Sequence, residues 1–159
     1  MNENEVIETF TLKKIILVFL AVLILALIIV WGIIPYANHR PIAEKNRELG
    51  LALTRQSAGA KITLEKAVPF EWDDIYIFDA YSYNRESLEK AIGLRLPEYH
   101  QSDQDNMANV VIIKDKKLIC YVSDFYDELG YRFEYAGHVS YGENQTFEVE
   151  YEDGMYVFS

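Results

Sequence analysis

The sequence predicts an α+β protein: an N-terminal transmembrane helix, then a small, mainly antiparallel sheet with one short packed helix. Two observations lead to this fold class. Residues 15–34 form an uncharged, almost wholly apolar segment, and the residues that follow alternate between apolar and polar in several short segments. As a helix, the apolar segment would span about 30 Å, the thickness of a bilayer's hydrocarbon core. Alternation with a period of two is typical of strands that bury one face.

The flanks of the apolar segment favour the membrane interpretation. Lys13 and Lys14 precede it, and Trp31 and Tyr36 are suited to the opposite interface. A cleaved signal peptide is the nearest alternative, but the segment is long for one and residues 35–40 make a poor cleavage site. Because a short basic N-terminus usually stays inside, we expect a single-pass cell-membrane protein with an extracytoplasmic C-terminal domain.

The residues that enter the apolar segment resemble the start of a type IV pilin or pseudopilin. Thr9-Phe10-Thr11-Leu12 stands where those proteins have Gly-Phe-Thr-Leu before a long hydrophobic helix. Here Thr9 replaces the Gly needed for cleavage, and Lys14 stands where pilins usually carry Glu. The resemblance implies a pseudopilin-like assembly subunit, which we keep as an alternative.

Charge is distributed unevenly along the chain. The formal net charge is −10, and residues 98–159 contribute most of it, with 13 acidic against 4 basic residues. Such a surplus argues against nucleic acid as a partner, because phosphate binding needs clusters of Lys and Arg. Cys120 is the only cysteine, so no intramolecular disulfide can form.

The patterns divide the chain into four parts. We expect a short N-terminal segment at residues 1–14, the transmembrane helix at 15–34, a helical stalk or linker at 35–60, and a small soluble α+β domain at 61–159. Within the stalk, Ile42, Leu49 and Leu53 recur near one face of a helix. Residues 61–66 alternate and predict a first strand.

The segment of residues 70–81 is the most distinctive part of the domain. Ile75 and Ile77 would point to one side of a strand, and Tyr76 and Phe78 to the other. We therefore expect this strand to be covered on both faces and to lie at the centre of the sheet.

A short helix follows the central strand. Asn84 can cap its N-terminus, Gly93 can end it, and Leu88, Ala91 and Ile92 would face inward.

Strand, turn and helix together carry a second resemblance. The pattern Phe-x-Trp-Asp, an Ile-Tyr-Ile-Phe strand, a Tyr-bearing turn and a helix ending in Ile-Gly covers residues 70–93. It resembles a motif of small, largely uncharacterised bacterial envelope proteins and lipoproteins, whose turn often carries Pro before Tyr. The resemblance implies a bacterial surface location and supplies no activity.

The remaining strands follow from turns and alternation. Residues 110–114 and 118–123 are apolar segments joined by Asp115-Lys116-Lys117, which predicts an antiparallel hairpin. Further on, residues 131–135 and 147–152 alternate, and Asp153-Gly154 turns the chain into its last strand. Together these segments predict a sheet of five to six strands.

No catalytic, cofactor or metal motif is complete in the sequence. Residues 103–106 begin like a calcium loop, but Met107, Ala108 and Lys114 replace a ligand, the turn glycine and the final Glu. Three histidines stand far apart and lack zinc-site spacing: His39, His100 and His138.

Three carboxylates flank the central strand, at Asp73, Asp74 and Asp79. Turn and cap roles explain them most simply. The alternative is a ligand-binding or enzymatic domain that uses carboxylates near residues 72–79, since paired carboxylates can act as acid and base when a pocket holds them at a set separation.

Glu148, Glu150 and Glu152 should share one face of a strand, because alternate residues lie on the same side. This face is either a solvated surface that discourages edge pairing or a docking surface for a basic partner. Four tyrosines are candidate aromatic anchors for that partner: Tyr131, Tyr135, Tyr141 and Tyr156.

The sequence thus predicts a membrane-anchored protein that presents a small acidic, Tyr-rich domain for protein interaction, in an accessory, inhibitory or immunity-like role. We expect the membrane and one protein as partners, with no nucleic acid, catalysis, cofactor or metal. The alternatives are the ligand-binding or enzymatic domain and the pseudopilin-like subunit.

Overall fold

The computed structural model describes helices and strands in residues 3–29, 34–78, 84–96 and 106–159. For residues 3–13, 15 and 34–40 it describes the backbone alone. The helices are α1 (Glu3–Ile28), α2 (Ile34–Leu53), α3 (Leu64–Ala67), α4 (Arg85–Ile92) and α5 (Tyr126–Leu129). The strands are β1 (Lys61–Thr63), β2 (Asp74–Phe78), β3 (Met107–Lys114), β4 (Lys117–Phe125), β5 (Tyr131–Phe133), β6 (Gly137–Ser140), β7 (Thr146–Glu152) and β8 (Met155–Phe158).

Helix α1 does not match the transmembrane helix that we predicted over residues 15–34. It begins at Glu3 and ends at Ile28, so charged and polar residues make up much of its first half. Its apolar part, residues 15–28, is about 21 Å long, whereas a spanning helix needs about 20 apolar residues. Among the described residues, no helix combines the length and the apolar character needed to cross a membrane. The prediction of a transmembrane helix, and with it the predicted fold class, is corrected on this point.

The strands form two sheets rather than the single sheet that we predicted. Their orders are β1-β7-β8-β5 and β4-β3-β2-β6. Every pair is antiparallel except β5 and β8, which run parallel. The pattern along a strand shows which of its faces are buried, but it does not specify which strands pair, and this is why the number of sheets was wrong.

Two hydrophobic clusters lie on opposite faces of the second sheet. The larger cluster joins the two sheets and contains Ile75 and Ile77 of β2. The smaller one lies under α4 and contains Phe78, with Tyr76 packed against it. Strand β2 is therefore covered on both faces, as its sequence predicts, and it lies inside the sheet between β3 and β6.

The boundary of the domain differs from the predicted stalk at residues 35–60. The chain divides into two units, Met1–Arg40 and Pro41–Ser159, and the second contains both sheets. Leu49 and Leu53 of α2 are buried in the larger cluster, so this part of α2 belongs to the domain. The apolar stripe predicted for the stalk is thus a packing face.

Helix α2 also covers an edge of the second sheet. The side chain of Asn46 accepts a hydrogen bond from the Tyr121 amide, at 2.9 Å, and donates one to the Tyr121 carbonyl. These are the two bonds that a neighbouring strand would make with β4, so the amide side chain occupies an otherwise unpaired edge.

Local signals in the sequence are confirmed with small differences. Asn84 accepts from the Ser87 amide at 2.9 Å, and Gly93 ends α4 in a left-handed conformation. Leu88 and Ile92 are buried, but Ala91 is exposed, against the prediction.

The predicted hairpin between β3 and β4 is also confirmed, with a shorter turn. Asp115 and Lys116 both have positive φ, which matches the twist of a two-residue hairpin. The first predicted strand, residues 61–66, ends after Thr63, where α3 begins.

Candidate functional site

An open groove of about 530 Å³ lies beside the start of β2. Its walls come from α3 and the segment between α3 and β2, from the end of β3, and from the loop after β6. The lining residues are Glu65, Val68, Pro69, Phe70, Glu71, Trp72, Asp73, Lys114 and Tyr141. Carboxylates and aromatic rings therefore meet in one concave surface.

Two aromatic residues form one wall of the groove. Trp72 is buried in the larger hydrophobic cluster, whereas Tyr141 is 62% exposed. Their ring centroids are 5.2 Å apart and the rings meet edge to face, a favourable geometry for aromatic pairs. The Tyr141 amide donates to the Asp73 carbonyl at 2.7 Å. The exposed ring is thus attached to the core through Trp72 and through its own backbone.

The loop that carries Tyr141 is held from both sides. The Glu65 side chain accepts a hydrogen bond from the Gly142 amide at 2.7 Å, and Glu143 accepts one from the Ser140 amide at 3.0 Å. Gly142 has φ +95°, a conformation that residues with a Cβ rarely adopt. A tyrosine at the surface is therefore presented by a loop with defined geometry.

An ion pair closes the end of the groove nearest the β3–β4 turn. Lys114 Nζ lies 2.9 Å from Asp73 Oδ1, and the Asp115 amide donates to Asp73 Oδ2 at 2.7 Å. The hydrogen bond from Lys114, and then that from Asp115, lowers the pKa of Asp73 below its ordinary value. The hydrogen bond to Asp73 raises the pKa of Lys114. Both groups are charged at neutral pH.

The groove has a net negative formal charge of −2, from three carboxylates and one ammonium group. Glu65 is engaged by Gly142 and Asp73 by Lys114, whereas Glu71 is exposed and makes no hydrogen bond or ion pair with any described residue. Outside the groove proper, Lys45 Nζ lies 4.7 Å from the centre of the Phe70 ring. One lining aromatic ring therefore already holds an ammonium group of the chain itself.

The three predicted glutamates lie together on β7, and we call Glu148, Glu150 and Glu152 the acidic ridge. All three are exposed, in alternation with buried Phe147 and Val149. Two of them have cationic neighbours: Lys61 is 3.9 Å from Glu148 and Arg132 is 3.6 Å from Glu152. The ridge is a charged outer face of the first sheet.

The four predicted tyrosines do not form one surface with this ridge. Tyr131 is completely buried, and this burial raises the pKa of its hydroxyl. Tyr135 packs edge to face against Phe147, and Tyr156 is half-buried beside Tyr151. Only Tyr141 is a freely exposed ring, and it lies in the groove.

Tyr151 is an exposed aromatic residue of the domain that the sequence prediction did not include. It lies on the ridge strand β7 and is 56% exposed. The prediction also did not include Glu65, Glu71 and Lys114 as members of one site, because no local pattern in the sequence connects them. The feature of the sequence that could have indicated this site is Trp72, which stands directly before the central strand.

The carboxylates flanking the central strand separate in the structure. Asp73 lines the groove, whereas Asp74 Oδ1 lies 2.8 Å from His138 Nε2 and accepts a hydrogen bond from the Ser140 hydroxyl at 3.0 Å. The His138 ring stacks on Tyr76. His138 lies in β6, and Asp79 falls outside the described residues.

Among the residues that the structure describes, no group of three or more His, Cys, Asp or Glu side chains is placed to hold a metal ion. The candidate calcium-loop residues Asp103 and Asp105, together with His100 and the side chain of His39, lie outside what is described.

In comparisons with protein-family models, with curated proteins and with solved structures, the chain matches none of them.

Proposed function

We propose that residues 41–159 form a protein-interaction domain whose groove binds a positively charged side chain of a partner protein. The observation that carries this proposal is the exposed ring of Tyr141, held beside Trp72 in a groove of negative charge. An aromatic ring that is exposed but fixed loses little conformational entropy on binding, and such residues dominate many interfaces.

The chemistry of the groove suits a cation. Ammonium and guanidinium groups are attracted to the faces of Trp, Tyr and Phe rings, and the attraction is larger where carboxylates lie nearby. The contact of Lys45 with Phe70 is an example within this chain. A volume of about 530 Å³ lies in the range of ligand sites and accommodates one long side chain with its neighbours.

Binding is favoured over acid–base catalysis by the state of the carboxylates. A general acid near neutral pH needs a raised carboxyl pKa, whereas the pKa of Asp73 is lowered by Lys114 and Asp115. Glu65 is used to hold the Tyr141 loop. The proposal therefore keeps the protein-interaction role expected from the sequence but moves its surface from the acidic ridge to the groove.

Tryptophan fluorescence provides a direct test. The chain has two tryptophans, so in the full chain with Trp31→Phe the signal comes from Trp72 alone. We expect a short peptide of alternating lysine and glycine to change this signal in a saturable way. The same peptide with glutamine in place of lysine should not, and equal titration curves for the two peptides would contradict the proposal.

Tyr141→Ala should weaken binding of the lysine peptide about tenfold, because it removes an aromatic contact with a cation. Tyr151→Ala is the matched control, since it removes a ring of similar exposure outside the groove. Both variants are compared with the parent by the same titration, after circular dichroism shows that they are folded. Equal losses in the two variants, or none in Tyr141→Ala, would remove the groove from the proposal.

A further inference from the structure

We infer that the groove selects lysine over arginine, with Asp73 Oδ1 as the acceptor that the partner's ammonium group takes over from Lys114. This inference rests on the proposed function, and it names the side chain that the groove recognises. It follows from the hydrogen bonds that the two oxygens of the Asp73 carboxylate already accept.

Asp73 offers a partner one oxygen, Oδ1, that no backbone amide uses. Its Oδ2 accepts the Asp115 amide at 2.7 Å, a bond that belongs to the β3–β4 turn. Its Oδ1 faces Lys114 Nζ at 2.9 Å. A guanidinium group gains most from two parallel hydrogen bonds to both oxygens of a carboxylate, whereas an ammonium group acts as a compact point charge. The Asp115 amide takes part of the acceptor capacity of Oδ2, so a guanidinium group gains less from two bonds at Asp73 than at a free carboxylate, and we expect lysine to suit this site better.

Lys114 already occupies this position with the same chemical group. The pair is open to solvent, since the Asp73 and Lys114 side chains are 42% and 32% exposed. Exposed ion pairs contribute little to stability, so exchanging one ammonium group for another costs little. Two ammonium groups beside one carboxylate oxygen repel each other. We therefore expect Lys114 to leave Asp73 when the partner's lysine arrives.

Glu71 limits the size of the selectivity. Its carboxylate makes no hydrogen bond or ion pair with a described residue, although its charge acts on Lys114, so it can pair with arginine as well as with lysine. Its exposure keeps the gain from such a pair small. We therefore expect a preference for lysine of about fivefold, which is less than a full hydrogen bond to a charged group gives because the site is exposed.

Three peptides test the selectivity in the full chain carrying Trp31→Phe. They have one sequence of glycines around a central lysine, arginine or glutamine, and binding is followed by Trp72 fluorescence. The expected order of affinity is lysine, then arginine, then glutamine. Asp73→Asn should bring the lysine and arginine affinities together, because it removes the charged acceptor.

A pair of variants tests the exchange. Lys114→Gln should bind the lysine peptide about threefold more tightly than the parent, because Asp73 is left open. Lys117→Gln is the matched control: it lies opposite Lys114 in the hairpin, is exposed, and does not line the groove. It removes the same charge and should have the smaller effect.

The outcomes separate this inference from the proposed function. If lysine and arginine peptides bind equally well and both exceed glutamine, the selectivity is overturned and the groove remains a site for cations. If Lys114→Gln tightens binding no more than Lys117→Gln, the exchange is overturned. If all three peptides behave alike, the proposed function itself fails. Should Asp73→Asn unfold the domain, the two lysine variants still decide the question.

Discussion

The groove and the acidic ridge are both negatively charged, yet their geometry differs. The ridge carboxylates stand in a row on one exposed strand, and two of them have cationic neighbours in Lys61 and Arg132. The groove carboxylates converge from separate elements around the rings of Trp72 and Tyr141. Charge alone does not separate the two regions. Concave shape and fixed aromatic rings do, and they are the features on which we base the proposal that the groove is the binding site.

The largest contrast between the two regions should be in stability. Trp72→Ala removes a buried ring from the larger cluster and should lower the free energy of unfolding by about 3–5 kcal/mol. Glu150→Ala, on the ridge, should change it by no more than about 0.5 kcal/mol. Urea unfolding of the two variants and the parent measures both values. Similar losses would mean that the groove wall is not part of the core.

A second contrast is that the Asp73–Lys114 pair should make the contribution of the groove to stability depend on pH. Because folding lowers the pKa of Asp73, its contribution to stability is present above the ordinary value of 3.8 and is lost as the pH falls through the lowered pKa. Folding raises the pKa of Lys114, so its contribution is present below 10.5 and is lost as the pH rises through the raised pKa. Between these limits the pair should contribute a constant amount.

Lys114→Gln tests this directly. In this variant the pKa of Asp73 should move back up toward its ordinary value, because the largest cause of its lowering has been removed. Carboxyl chemical shifts followed through an acid titration report the change, and Lys117→Gln serves as the control. An unchanged Asp73 titration in Lys114→Gln would show that the ion pair does not form in solution.

The smallest effect is expected from reversing charge on the ridge. Glu148→Lys combined with Glu150→Lys should alter binding of the lysine peptide by less than about twofold at physiological salt, since the ridge does not line the groove and exposed charges are screened. The same fluorescence titration measures it. A loss much larger than this would move the interaction surface back to the ridge.

Much of the local structure was predictable because its signals act over a few residues. Asn84 and Gly93 marked the ends of α4, the alternation at Glu148 marked β7, and the two faces of β2 followed from four neighbouring side chains. Ala91 shows the limit of the same reasoning, since it lies on the predicted inner stripe and is exposed.

The groove was less predictable because its members are distant in the chain. Glu65 meets the Gly142 amide across 77 positions, and Asp73 meets Lys114 across 41. Tyr141 was named from composition, together with three other tyrosines, and only packing shows that Tyr131 is buried whereas Tyr141 is exposed. The number of tyrosines in the sequence does not show which of them are buried.

The sequence by itself determined the α+β character of residues 61–159, the hairpins, the capped helix and the acidic balance, since each depends on neighbouring residues or on composition. Tertiary structure decided that the strands form two sheets, that α2 belongs to the domain from Pro41 onward, and that no described helix is long and apolar enough to cross a membrane. It also decided that Trp72, Tyr141 and Asp73 share a groove. The physical reason is that pairing and convergence depend on which distant surfaces bury one another, and local periodicity does not record this.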